Sequence, residues 1–124
     1  MHTQQQFQSL QDEHHEWLAK LQFYKSDLAQ HEQVLEQKSV LAQSTDAKAM
    51  IEHFQNQFIL QREVLDILRH DIKQFENELV HLQQHGVDKT KQGIQMLKDS
   101  VFDQLQTFEK LYHDLRHEFV SYAQ

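Results

Sequence analysis

Apolar residues recur in alternating steps of three and four along almost the whole chain, and no proline interrupts them. Side chains spaced this way share one face of an α-helix. A sustained 3-4 alternation marks helices packed along a coiled-coil seam. In the first segment, about 4–37, the positions are Phe7, Leu10, His14, Trp17, Leu21, Tyr24, Leu28, His31 and Leu35, so two histidines stand among the apolar residues. In the second, about 46–85, they are Ile51, Phe54, Phe58, Gln61, Leu65, Leu68, Ile72, Phe75, Leu79 and Leu82, with Gln61 the polar member. In the third, about 88–122, Ile94, Leu97, Val101, Leu105, Phe108, Leu111, Tyr112, Leu115, Phe119 and Tyr122 form a wider stripe.

Boundary signals frame these segments. Thr3 and Gln6 have the spacing of a capping box. The stretch 38–45 is the least periodic and reads as the first loop, with Ser44, Thr45 or Asp46 able to cap the next helix. Gly86 suits the left-handed position that ends a helix, with Val87 reaching back to Leu82, and Asp88 suits the following N-cap. Leu60, Val64 and Ile67 form a second stripe on the middle helix, about 100° from the first, which predicts contact with two neighbours.

At about 1.5 Å per residue such helices are roughly 50–60 Å long, and short connections make sequential helices antiparallel. The expected fold is all-α: an elongated, antiparallel up-down-up three-helix bundle with coiled-coil packing, one domain over 1–124. A helical hairpin with a swapped third helix is the alternative. That register places His14 and His15 opposite Arg69 and His70, near Asp103, and His31 opposite Glu52 and His53.

Composition narrows the chemistry. The chain has 124 residues, no Cys, two Gly and a formal charge of −7. Lack of cysteine removes disulfides, thiol nucleophiles and thiolate metal sites, and two glycines leave no phosphate-cradling loop. Twenty-one Gln and fifteen Leu favour helix. The acidic balance lacks the basic stripe that nucleic acid needs. No apolar run exceeds three residues, so no membrane span is expected. The N-terminus MHTQQQFQSLQDEHHEW has neither the basic nor the apolar region of a signal peptide, and a cytoplasmic location is expected. Nothing resembles a nucleophile elbow, and no loop is long enough to shape a pocket, so no enzyme activity and no cofactor are expected.

Ten histidines are the chemical oddity. His81 with His85, and His113 with His117, are spaced i, i+4 and could each offer two imidazoles to a metal. His14, His70 and Asp103 form a third candidate set. The simpler reading is solvated histidines for the pairs and neutral, hydrogen-bonded core residues for His14 and His31. Polar seam residues such as His14, His31 and Gln61 commonly fix register. If the seam histidines are neutral when buried, stability should fall between pH 7 and 5.

Phe23 and Val34 on the first helix, with Phe102 and Val120 on the third, lie off the seams and are candidates for an interaction face. The leading functional expectation is a non-enzymatic interaction or scaffolding bundle that self-associates, a homodimer being the expected form. A histidine-rich metal-binding or metal-sensing bundle is the alternative. A small molecule held near Trp17, Tyr24 and Gln61 is a third reading.

The stretches HHEWLAKLQFYKSD (14–27) and HFQNQFILQREVLDILRHDI (53–72) resemble a family of short helical-bundle proteins of Bacteroidetes-type bacteria to which no function is attached. The resemblance covers 34 residues and implies a bacterial, cytoplasmic helical protein, with no site residue carried over. In architecture the chain is also similar to a spectrin-like three-helix repeat, which implies no function.

Overall fold

The computed structural model describes residues 2–85 and 91–124, with side chains described for all of these except 2–7, 82, 83, 85, 91–94, 96 and 97. Three helices follow in order: α1 (His2–Leu41), α2 (Thr45–His85) and α3 (Lys91–Ala123). They pack against one another as an all-α three-helix bundle, and the described residues contain no strand. The expected caps and stops at Thr3, Gln6, Gly86, Val87 and Asp88 lie outside the described residues or side chains. No helix among the described residues is long and apolar enough to cross a membrane.

The seam residues form the core as the spacing predicts. Trp17, Leu21, Tyr24, Leu28 and Leu35 of α1 meet Ile51, Phe54, Phe58, Leu65, Leu68 and Ile72 of α2, and Val101, Leu105, Phe108, Tyr112, Leu115 and Phe119 of α3. Aromatic rings fill the layers: Phe54 and Phe58 both lie edge-on to Phe119, at centroid distances of 5.1 and 5.0 Å. Such edge-to-face pairs add about 0.5–1.5 kcal/mol each beyond area burial.

The first loop is shorter than its loss of periodicity suggests. α1 continues through Lys38, Ser39, Val40 and Leu41, leaving only 42–44 as the turn. Val40 and Leu41 are exposed, so burial does not hold this last turn. Backbone propensity and local bonds do: the Ser39 hydroxyl donates to the Glu36 carbonyl at 2.6 Å, and the Lys38 ammonium lies 5.6 Å from the Tyr122 ring. Ser44 is the N-cap of α2, its Oγ accepting from the Ala47 N–H at 3.0 Å.

The α1/α2 register differs from the expected one. His14 packs on Phe75 (centroids 4.2 Å), His15 meets Glu76 at 3.5 Å, and Arg62 pairs with Glu32. The expected register sets His14 and His15 opposite Arg69 and His70, whereas their partners, Phe75 and Glu76, lie six residues further along α2. The turn falls at 42–44, late within the expected 38–45 loop, which moves the pairing in this direction.

Candidate functional site

α1 and α3 run parallel at a constant offset, and their shared edge is polar. Tyr24 donates its hydroxyl to Glu109 at 2.6 Å, and Tyr112 donates to Asp27 at 2.5 Å, each pair 85 residues apart in sequence. Each helix therefore supplies one tyrosine and one carboxylate to the other. The two tyrosine rings meet edge-on at 5.3 Å, with Phe108 beside both.

Basic side chains complete both units. Lys20 Nζ lies 3.7 Å from Glu109, and His113 Nε2 lies 3.4 Å from the Tyr24 hydroxyl. Arg116 Nε donates to Asp27 at 3.1 Å, while His31 Nε2 stands 3.3 Å from the same carboxylate oxygen, in ion-pair range but off hydrogen-bond geometry. Burial, then the bonded carboxylate, holds both tyrosine hydroxyls well above the usual phenol range. They are protonated donors. The arrangement ties α1 to α3 through two tyrosine–carboxylate bonds.

The histidine candidates are not gathered. His14 is fully buried, whereas His70 is exposed beside Asp71 and Asp103 is exposed on α3. The cause is helical phase: His70 lies off the Leu68–Ile72 seam and Asp103 off the Val101–Leu105 seam, so both face away from the core in any axial register. His81, His113 and His117 are exposed, and the His85 side chain lies outside those described. Among the described residues no group of three or more His, Asp or Glu could hold a metal. Trp17 and Tyr24 are packed against Phe102, Phe108 and Tyr112, so rings occupy the interior suggested for a small ligand.

Phe23, Val34 and Phe102 are exposed and Val120 is half-buried. Phe102 leans on Trp17 and Phe23 on Tyr24, so both phenylalanines border the α1/α3 edge. The charged Lys20, Asp27, Glu109 and Arg116 on that edge divide them.

A more continuous apolar surface lies on α2. The second stripe does not meet a second neighbour: Leu60 and Ile67 are 52% and 58% exposed, and Val64 is exposed too. His53, Leu60, Ile67 and Gln74 stand at seven-residue steps. His53 reaches Glu118 of α3 at 3.0 Å, and Gln74 shares a groove with Ser100 and Gln104. Leu60 and Ile67 therefore sit on the flank of α2 nearer α3. On α3 the matching ladder is Gln104, Leu111 and Glu118, with Leu111 51% exposed. Polar residues line both ends of this face, and leucine, valine and isoleucine its middle. The stripe was legible in the sequence. That it stays open was not, because α3 packs through its own narrow seam and leaves Leu111 outside it.

These features define the chain as an all-α three-helix bundle with a tyrosine–carboxylate edge on one side and an open aliphatic face on another. Comparison with protein families, with curated proteins and with solved structures yields no match.

Proposed function

We propose that the chain is a non-enzymatic interaction or scaffolding bundle that self-associates, as a homodimer, through the middle of the α2/α3 face. The observation that carries this reading is the exposure of Leu60, Val64, Ile67 and Leu111 together at mid-length. Contiguous apolar surface on a small bundle gains about 25 cal/mol per Å² when covered, and such patches mark protein contacts. The flanks of the face are polar, as the rim of an interface is.

Light scattering tests it. The wild type should show twice the 14.9 kDa chain mass, and Leu60→Lys with Ile67→Lys should return it to the single mass. Phe23→Ser with Val34→Ser should leave the doubled mass intact. A wild type of single mass at every concentration overturns self-association. Loss of the doubled mass only in the second variant moves the interface to the α1/α3 side.

A further inference from the structure

Trp17 and Phe75 are both buried, and His14 packs against the two of them. Its ring lies 5.4 Å from Trp17 and 4.2 Å from Phe75, is fully buried, and neither ring nitrogen has a hydrogen-bond partner among the described residues. A buried imidazole without partners is tolerable only while neutral, because a buried charge demands a counter-charge or water.

The charged groups around it do not supply one. On its own helix Glu13 is held by Lys98 of α3 at 3.4 Å, and on α2 Glu76 is held by His15 at 3.5 Å. The other groups acting on it among the described residues, His15 and Lys98, are basic and offer no counter-charge. His31, the other seam histidine, differs in having the Asp27 carboxylate at 3.3 Å.

We infer that His14 is a pH-operated latch: neutral, it completes the layer between Trp17 and Phe75, and protonated, it leaves for water and releases that end of α1 from α2. Burial first, then His15 and Lys98, lowers its pKa from 6.5 to about 4, which sets the range of operation. The Tyr24–Glu109 and Tyr112–Asp27 bonds lie outside this layer and keep the α1/α3 edge joined while the latch opens. Opening bares Trp17 and Phe75, so the device couples acidification to exposure of apolar surface.

Trp17 is the only tryptophan and sits against the latch, so it reports directly. Its emission should shift to the red as pH falls between 6.5 and about 4, with far-UV ellipticity largely kept. In His14→Leu the shift should vanish, and in His31→Leu it should remain. In the wild type, NMR should place the His14 ring titration at the same midpoint as loss of amide-exchange protection around Trp17 and Phe75. That measurement decides the matter even if His14→Leu does not fold. An unchanged shift in a folded His14→Leu, or His14 titrating with protection intact, overturns the latch.

Discussion

Tyr112 donates its hydroxyl to Asp27 at 2.5 Å, and the same carboxylate oxygen takes the Arg116 Nε at 3.1 Å. One acidic side chain of α1 thus ties down two residues a helical turn apart on α3. Removing it should strand a buried phenol. Asp27→Ala is expected to cost about 2–3 kcal/mol in urea unfolding, since a lost charged acceptor leaves its donor unsatisfied. Tyr112→Phe in the same background should cost much less than in the wild type. Additive losses in that double-mutant cycle would mean the bond does not hold the edge.

His14 sets the pH dependence of overall stability. Its folded pKa, about 4, lies below the ordinary 6.5, so the unfolded chain binds the proton more tightly. Its contribution is complete above pH 6.5 and is lost as pH falls toward 4. The loss is on the order of 3 kcal/mol at 1.36 kcal/mol per unit. Denaturant melts at a series of pH values should show this slope in the wild type and a flatter one in His14→Leu.

Ser44 caps α2 through the Ala47 N–H. Ser44→Ala should lower stability by about 1 kcal/mol, and Ser44→Gly by only a few tenths. Thermal melts of the two variants, compared with Thr45→Ala, separate the cap from its neighbours. A greater loss at Thr45 would reassign the cap.

Leu65 and Ile67 are two residues apart on α2, one 3% and the other 58% exposed. Leu65→Ala should cost about 2–5 kcal/mol through the cavity it leaves. Ile67→Ala should change dilute-solution stability by no more than about 0.5 kcal/mol. If α2 carries the self-association face, the Ile67→Ala penalty grows with protein concentration, which melts over a dilution series measure directly.

The sequence by itself determined the helices and which side of each is buried. Unbroken 3-4 spacing leaves a helix one apolar face, and Trp17, Leu28, Phe58, Leu68, Phe108 and Phe119 lie on it whatever the neighbours are. It also flagged His14 as an imidazole in an apolar seam. Tertiary structure alone decided the axial register, because sliding a heptad seam by a few residues keeps apolar against apolar. Only the fit of specific side chains chooses, as where the His14 ring meets Phe75. Tertiary packing also brought Tyr24 to Glu109 and Tyr112 to Asp27 across 85 residues of sequence. The open stripe of α2 was decided the same way. Periodicity shows that Leu60, Val64 and Ile67 share a face, and the packing of α3 determines that the face stays open.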